Sequence, residues 1–371
     1  MNPSAKPRIA VVFGGRSQEH SVSCATAASV LAAIDLDSYD VVPIGISRDG
    51  RWVLESGDPA RLALTADHIP QVDGAASAVL VSNDPTRREL IVAEPGKPPA
   101  VLGSVDVVFP LLHGPWGEDG TIQGMLEMAG IRYVGSGVLA SAVGMDKHYM
   151  KVVLAAAGLP VSPYVVRSAN RGEADDSAFA AAVEELGYPV FVKPARGGSS
   201  LGITKVTGAG ALSAALEAAR EFDPKVLVEA AAVGARELEC AVLERLEGGA
   251  DASVVAEITG YGDHEFYDFA AKYLGEDGVT LEVPAALEPE QISEVQRLSL
   301  AAFEALGCEG LARVDFFLGA DGRLVVNEIN TMPGFTPSSM YPRMWAESGV
   351  GYRTLVGRLI TLAANRPTGL R

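Results

Sequence analysis

The chain has 371 residues, 48% of them hydrophobic and 21% charged, which is the composition of an ordinary globular protein and enough chain for two or three domains. Its formal net charge of −17 argues against a broad basic face, so we expect neither a nucleic acid nor a membrane surface as a partner. Three scattered cysteines without CxxC spacing argue against a disulfide framework or a zinc site, and with the lack of a recognisable signal peptide they predict a cytoplasmic protein.

The first predicted elements are those of an α/β domain. A buried strand over residues 8–13 is followed by two glycines, a helix over 19–34 and a second strand over 40–47. A helix start after a glycine turn can hold an anion, although the glycines can also serve the turn alone. Glu19, at this helix start, can instead bind an ammonium group. Residues 55–100 predict only short strands and surface loops.

The next buried strand, over residues 105–112, runs into a loop that is rich in glycine, histidine and acidic residues. The loop sequence is HGPWGEDG, and a helix is predicted over 121–129. Loops at the carboxyl ends of parallel strands are where α/β sheets bind ligands. His113 therefore either faces a ligand or braces the loop. We place a domain boundary near Met145, ahead of a helix predicted over 148–157.

A lysine and a glycine/serine loop mark the central part of the chain. A strand predicted over 189–193 ends in Lys193, and the loop 197–202 (GGSSLG) leads to a second strand. Backbone amides and hydroxyls in such a loop can surround phosphates while the lysine supplies a fixed charge, although a flexible hairpin with an exposed lysine is the alternative. A further strand over 225–229 ends in Glu229, which either binds a base or a ribose or faces solvent.

A polar, aromatic segment at residues 261–278 follows two antiparallel strands that we predict over 237–243 and 253–259. Its length suggests a lid that closes over a site. Lys272 and Tyr273 lie near the end of this segment, where a lid would present them to a ligand.

The segment that organises the chain is a hairpin over residues 311–330, two largely apolar runs joined by a GADG turn. A four-residue connection would pair Arg313 with Glu328. It would likewise pair Asp315 with Val326. Because strand side chains alternate between faces, the hairpin would then carry four polar side chains on one face. These are Arg313, Asp315, Glu328 and Asn330.

The polar face of the hairpin predicts a metal site. Two carboxylates and a carboxamide are the hard oxygen ligands that Mg²⁺ requires, and the arginine can meet a phosphate or an oxyanion. A half-exposed hairpin with a polar outer face is the alternative. Together with the lysine strand, the glycine/serine loop and the lid, the hairpin predicts a nucleoside triphosphate site. No sequential P-loop is present, so the phosphates would lie between two β-rich layers and undergo phosphoryl transfer.

A series of motifs along nearly the whole chain carries a family resemblance. They are FGGRSQEHSVS, HGPWGEDGTIQG, GMDK, FVKPARGGSSLG, VLVEAAA, RELECAVL, FYDFAAKY, LARVDFF and NEINTMPGFTPSSMYP. Through them the chain resembles the ATP-grasp enzymes, and closely the D-alanine–D-alanine ligases. The resemblance implies a mixed α/β, ATP-grasp fold with a Rossmann-like N-terminal domain, and a homodimer that joins two D-alanines for peptidoglycan precursor synthesis. It divides the chain into residues 1–145 with the first D-alanine site, 146–233, and 234–371 with the magnesium and second D-alanine sites.

The resemblance also implies roles for residues around the substrates. Glu19 would hold the ammonium group of the first D-alanine, in a hydrogen-bonded triad with Ser199 and Tyr273. Arg313 and the Gly334 amide would stabilise the oxyanion. The other implied substrate contacts are His113 near the first D-alanine, and Ser339 and Met340 beside the second.

The implied small-molecule partners are D-alanine and ATP, with two Mg²⁺ ions for which Mn²⁺ can substitute. The implied ATP contacts are Lys147, Lys193, Ser200, Glu229, Ala230, Ala232, Glu237 and Lys272. The implied metal ligands are Asp315, Glu328 and Asn330. This chain departs from the usual Gly-Arg-Glu of the family, because Ala235 is inserted between Gly234 and Arg236. The acid that meets the ribose is therefore expected to be displaced by one position.

The implied reaction has two steps. The carboxylate of the first D-alanine attacks the γ-phosphorus of ATP to form an acyl phosphate, and the deprotonated amine of the second D-alanine then attacks its carbonyl, while the lid excludes water. In this family a lid tyrosine accompanies dipeptide formation, so FYDFAAKY favours the dipeptide over D-alanyl-D-lactate. The alternatives are another ATP-grasp ligase for a different amino acid or D-lactate, a nucleotide-binding regulator without turnover, and a Rossmann dehydrogenase, which only the N-terminal half suggests.

Overall fold

The computed structural model describes residues 6–65, 68–94, 96–168, 176–261 and 279–369. Within these ranges the chain forms three β-sheets of eight, four and five strands. The helices pack against the sheets and leave one large polar cleft between the second and third sheets.

The first sheet has parallel strands at its centre and antiparallel strands towards one edge. Its strands are β1 (Arg8–Gly14), β2 (Asp40–Ile46), β3 (Trp52–Leu54), β4 (Ala78–Val81), β5 (Glu89–Ala93), β6 (Ala100–Ser104), β7 (Val107–Pro110) and β8 (Arg132–Tyr133), in the order β6-β5-β4-β3-β2-β1-β7-β8. Its helices are α1 (His20–Ala33), α2 (Pro59–Leu62), α3 (Thr121–Met128) and α4 (Val138–Met145). Residues 9–13 of β1 are fully buried, as the unbroken apolar run predicts for a central parallel strand.

The second sheet is antiparallel and presents one apolar and one polar face. Its strands are β9 (Tyr164–Ser168), β10 (Val190–Pro194), β11 (Thr204–Val206) and β12 (Lys225–Ala230), in the order β11-β10-β12-β9. The helices of this part are α5 (Lys147–Ala156), α6 (Asp176–Leu186) and α7 (Leu212–Arg220). Val192 and Val228 pack in a core with residues of α6 and α7. Alternation along the strands therefore turns Lys193 and Glu229 to the opposite face, which lines the cleft.

The third sheet, also antiparallel, carries the hairpin. Its strands are β13 (Arg236–Glu244), β14 (Ala250–Tyr261), β15 (Val279–Glu282), β16 (Leu311–Leu318) and β17 (Leu324–Asn330), in the order β15-β14-β13-β16-β17. The last helices are α8 (Pro289–Leu306), α9 (Met340–Glu347) and α10 (Tyr352–Asn365). Val314 and Phe316 are buried in a core with residues of α8. The polar residues of the hairpin consequently face the cleft on the other side.

Three local features differ from the expectations. Neither α4 nor α9 was predicted: VLASAVGM is apolar almost throughout, and α9 contains Pro342, which the first turn of a helix tolerates because no helical hydrogen bond is lost there. The sequence predicts a strand over residues 159–166, but β9 starts only at Tyr164, because Pro160 and Pro163 have no N–H to donate to a sheet. Across the described ranges, no helix combines the length and the apolar character that a membrane span needs.

Candidate active site

The cleft between the second and third sheets has a volume of about 510 Å³. Most of the site residues expected from the sequence line it together. They are Glu19, His113, Lys147, Lys193, Ser199, Ser200, Glu229, Ala230, Ala232, Glu237, Arg313, Asp315, Glu328, Asn330 and Gly334. Lys272 and Tyr273 lie outside the described residues, so their roles stay predictions.

The register of the β16–β17 hairpin differs from the expected one. Near the turn Phe316 pairs with Val326, and a β-bulge follows. Beyond the bulge Asp315 pairs with Glu328 rather than with Val326. The expected pairing of Arg313 with Glu328 is wrong for two reasons. Leu318 pairs with Leu324, so the connection has five residues rather than four, and the bulge shifts the pairing by one residue more.

The bulge nevertheless keeps the polar residues together. If the register near the turn continued, Asp315 would face Asn327, and Glu328 would point to the opposite side of the sheet. Asn327 is instead the extra residue of the bulge, and it shifts the following residues by one position. Asp315 then faces Glu328, and Arg313 faces Asn330. All four side chains therefore share the face that was expected from the sequence.

Arg313 is held by two carboxylates on this face. Its Nε and Nη2 atoms each donate to an oxygen of Asp315 at 2.7 Å, and Glu239 Oε2 lies 3.2 Å from its Nε. Burial opposes the charge of Arg313, but Asp315 and Glu239 raise its pKa well above the ordinary value. Arg313 is consequently a fixed cation, which suits it to stabilising a negative charge in the cleft.

The same face offers oxygen ligands for a metal. Asp315 and Glu328 are cross-strand neighbours, and Asn330 Nδ2 donates to Asp315 Oδ2 at 3.1 Å, so rotation of the Asn330 amide would present its oxygen instead. Among the described residues, no group of three His, Cys, Asp or Glu side chains is close enough to hold a metal. Two carboxylates and a carboxamide fit Mg²⁺ only if other ligands, such as phosphate oxygens, complete the coordination.

A buried glutamate joins two lysines at the other wall of the cleft. Glu229 Oε2 accepts from Lys193 Nζ at 2.8 Å, and its Oε1 accepts from Lys151 Nζ at 2.7 Å. Burial alone would raise the pKa of Glu229, but the charges of Lys193 and Lys151 lower it to about 2. Lys151 was not recognised in the sequence. Its spacing of four from Lys147 puts both on one face of α5, and that spacing was the available signal.

Lys147 connects the two walls. Its Nζ donates to the Gly197 carbonyl at 2.9 Å and lies 3.1 Å from Glu328 Oε2. Burial opposes its charge, but Glu328 and neighbouring carboxylates raise the pKa of Lys147 above its ordinary value. A permanently charged lysine thus lies between the glycine/serine loop and the acidic hairpin, where a polyphosphate would meet both.

The glycine/serine loop contacts the start of α1. Ser199 Oγ donates to a carboxylate oxygen of Glu19, which is 7% exposed. Ser199 and Ser200 both have left-handed backbones, with φ of 49° and 58°, a conformation that residues other than glycine seldom adopt. The loop is therefore held in an unfavourable conformation that keeps Ser199 against Glu19.

His113 and Glu118, in the N-terminal segment, contact both backbone groups of Met332, which follows β17. His113 Nδ1 lies 3.2 Å from the Met332 carbonyl, and Glu118 Oε1 accepts from the Met332 N–H at 3.1 Å. Glu118 Oε2 also accepts from the Gly114 N–H at 2.8 Å. Burial, with the charge of Glu19, raises the pKa of Glu118 to about 8. Glu118 was not singled out in the sequence, since acids in such loops are common.

Ser339 and Met340 are the described residues of the expected site that do not line the cleft. Ser339 precedes α9, and its Oγ accepts from the Thr336 N–H at 3.1 Å. The Met340 side chain lies in the core, with 5% exposure. Contacts of either residue with a second D-alanine stay predictions.

The inserted Ala235 lies in the turn before β13, where its N–H donates to the Ala232 carbonyl at 3.2 Å. The turn accommodates the extra residue, and β13 starts at Arg236 with Glu237 among the residues lining the cleft. Which acid meets the ribose stays a prediction.

These features define the class of protein. Two antiparallel sheets enclose a cleft, one sheet contributing lysines and the other an acidic hairpin, which is the arrangement of an ATP-grasp enzyme. Two family models match the chain: "D-ala D-ala ligase N-terminus" over residues 8–136 and "D-ala D-ala ligase C-terminus" over residues 153–361. The chain belongs to the D-alanine–D-alanine ligase family.

Curated relatives and solved structures agree with this assignment. A D-alanine–D-alanine ligase from Arthrobacter sp. (strain FB24) is 58% identical over 99% of this chain and 96% of the relative. One from Kineococcus radiotolerans is 58% identical over the full length of both chains. The VanG D-Ala:D-Ser ligase from Enterococcus faecalis superposes with a TM-score of 0.82 at 34% identity, over 97% of this chain and 100% of that one. The D-alanine–D-alanine ligase from Coxiella burnetii gives 0.79 at 32% identity, over 97% and 94%.

Proposed function

We propose that the protein joins two molecules of D-alanine into D-alanyl-D-alanine, with conversion of ATP to ADP and phosphate, for peptidoglycan precursor synthesis in the cytoplasm. The observation that carries the proposal is the position of three kinds of group around one cleft. Lysines lie on one wall, the acidic hairpin on the other, and the Glu19–Ser199 pair at the end that the N-terminal segment closes. A nucleotide, a metal and an amino acid can therefore meet there.

The first step would be phosphoryl transfer from ATP to the carboxylate of the first D-alanine. Lys147 and Lys193 would hold the phosphates, because both are charged and line the cleft. Glu19 would hold the ammonium group, oriented by Ser199. With both reactants fixed, positioning and charge neutralisation supply most of the rate enhancement.

The second step would be attack by the amine of the second D-alanine on the acyl phosphate. Negative charge then develops on the former carbonyl oxygen. Arg313 is a fixed cation in the cleft, and the Gly334 backbone lies in the same lining, so both can stabilise that charge. Tyr273 and Lys272, in the segment expected to form a lid, would exclude water and meet the γ-phosphate.

Asp315, Glu328 and Asn330 would hold two Mg²⁺ ions, or Mn²⁺ in their place. Two observations support this. Asp315 and Glu328 are cross-strand neighbours on the cleft face, and the cations next to them are protein side chains, Arg313 and Lys147. The metal would supply neutralisation of the charge on the transferring phosphoryl group.

We further propose the division of the chain at residues 145 and 233, and a homodimer. The three sheets support the division, since each lies within one of the segments 1–145, 146–233 and 234–371. Sedimentation analysis measures the oligomeric state directly.

Mass spectrometry of products from ATP, Mg²⁺ and D-alanine tests the function. We expect D-alanyl-D-alanine and ADP. Parallel reactions that contain D-lactate or D-serine test the identity of the second substrate. The reaction with D-serine is an informative comparison because the chain is structurally similar to a D-Ala:D-Ser ligase. ATP binding without any ligated product would overturn the proposal in favour of a nucleotide-binding regulator.

A further inference from the structure

Lys151 is a lysine in an environment that usually excludes charge. It lies on α5, its side chain is 1% exposed, and its Nζ donates to Glu229 at 2.7 Å. Burying an ammonium group is costly unless a partner compensates it, and a methionine or leucine would fill the same space without that cost. The charge of Lys151 therefore requires an explanation beyond packing.

The arrangement of strands shows how Glu229 reaches two cations. In the β10–β12 pair, Lys193 lies opposite Leu227 and Phe191 lies opposite Glu229. Lys193 and Glu229 are consequently diagonal neighbours on the face towards the cleft, within reach of long side chains. Lys151 approaches the other carboxylate oxygen from α5.

The three charges do not cancel. Lys193 and Glu229 alone would form a neutral pair, and a neutral pair attracts a polyphosphate weakly. Burial lowers the pKa of Lys151, while the Glu229 carboxylate at 2.7 Å opposes this effect. With Lys151 protonated, one carboxylate is shared between two ammonium groups, and the cluster has one excess positive charge. Lys193 and Glu229 both line the cleft, whereas Lys151 is outside the lining. In a chain with a net charge of −17, such a local excess is needed to attract an anionic nucleotide.

We propose that Lys151 is a positioning residue for nucleotide binding: by holding Glu229, it leaves Lys193 with uncompensated positive charge directed at the phosphates. This inference rests on the proposed function, because it takes the cleft to bind a nucleotide. It adds a residue that touches no substrate and acts through Glu229.

Isothermal titration of the full chain with ADP and Mg²⁺ tests the proposal. Lys151→Met removes the excess charge, and we expect the dissociation constant to rise about tenfold or more, the scale of close charge coupling at buried sites. The KM for ATP rises in parallel, whereas the KM for D-alanine is unchanged. Lys97→Met is the control for net charge, because Lys97 forms an exposed pair with Glu94, and its dissociation constant should equal that of the unaltered chain.

The double variant Lys151→Met with Glu229→Gln, compared with Glu229→Gln alone, separates charge from structure. Because Lys151 acts through the Glu229 carboxylate, Lys151→Met should raise the dissociation constant for ADP much less in the Glu229→Gln background than in the unaltered chain. If Lys151 only braces the fold, the rise is the same in both backgrounds, and the proposal is overturned. Equal binding by Lys151→Met and the unaltered chain overturns it as well.

Thermal melting shows whether each variant is folded. If Lys151→Met does not fold, Lys151→Gln, which also removes the charge, takes its place in the same comparison. Failure of the unaltered chain to bind ADP would count against the proposed function. Binding by the unaltered chain with no effect of Lys151 would count against this inference alone.

Discussion

Glu118 offers a quantitative test of how the N-terminal segment positions the cleft. Its two oxygens accept from the Gly114 and Met332 N–H groups at 2.8 and 3.1 Å. Glu118→Ala leaves both N–H donors without this acceptor. The loss of a partner costs about 1–3 kcal/mol in stability for each fully buried donor. Because Glu118 is only partly buried, we take the lower part of that range and expect a loss of about 2–4 kcal/mol in the free energy of unfolding.

The same substitution should slow the reaction. Met332 lies two residues before Gly334, the backbone of which lines the cleft. Freeing the Met332 peptide shifts the Gly334 amide, and a displacement of about 1 Å in a catalytic group can cost on the order of a hundredfold in rate. We therefore expect kcat to fall in Glu118→Ala while the KM for ATP stays near its original value.

Glu118→Gln is the matched control, since glutamine has the shape of a protonated glutamic acid. Burial and the charge of Glu19 raise the pKa of Glu118 to about 8, from 4.5 for an unperturbed glutamate. The folded state therefore favours the neutral form. The contribution of the neutral Glu118 carboxyl group to the free energy of unfolding is complete below pH ~4.5. It is lost as the pH rises through about 8, with a slope of up to about 1.4 kcal/mol per pH unit. Glu118→Gln should remove this slope. Because its amide nitrogen cannot accept, one of the two N–H donors loses its partner, and we expect a cost of about 1–2 kcal/mol, smaller than that of Glu118→Ala.

Urea denaturation of the three proteins across this pH range, with steady-state kinetics at one pH, measures both effects. A Glu118→Gln protein as unstable as Glu118→Ala, with the original pH slope, would show that the carboxylate is ionised in the folded state. Unaltered stability and kcat in Glu118→Ala would show that the contact with Met332 contributes nothing.

Three further predictions concern separate parts of the molecule. Asp315→Ala should abolish turnover without unfolding the chain, because the side chain faces the cleft; product analysis and circular dichroism check this, and normal turnover would remove Asp315 from the metal site. His20→Asn should reduce the loss of stability on acidification. Burial lowers the pKa of His20, whose Nε2 accepts from the Val72 N–H. The folded state therefore disfavours the protonated form, and stability falls as the pH drops below ~6.5. An unchanged dependence of stability on pH in urea denaturation would contradict this. Tyr273→Phe should admit D-lactate as second substrate, and mass spectra without additional ester would count against the expected triad.

The elements that sequence periodicity could predict were those with a continuous apolar pattern. Strands β1, β2 and β16 lie where their apolar residues indicated, since burial of one face or both determines their period. The register of the hairpin was wrong because the connection has five residues rather than four, and because a bulge at Asn327 leaves no composition signal. Lys151 and Glu118 were missed for another reason. Their partners, Glu229 and Met332, are 78 and 214 residues away in the chain, and only the tertiary fold brings them together.

The charged groups of the cleft are already positioned by one another. Arg313 is held by Asp315, Lys147 by Glu328, and Lys193 by Glu229. Long cationic side chains lose considerable rotamer entropy when they are immobilised. In this cleft they lose that entropy when the chain folds, and not when a ligand binds. Each carboxylate that fixes a cation also cancels part of its charge, so the strength of the site depends on where cations exceed carboxylates. Around Glu229 they do, and Lys151, the lysine responsible for the proposed excess, is outside the lining of the cleft.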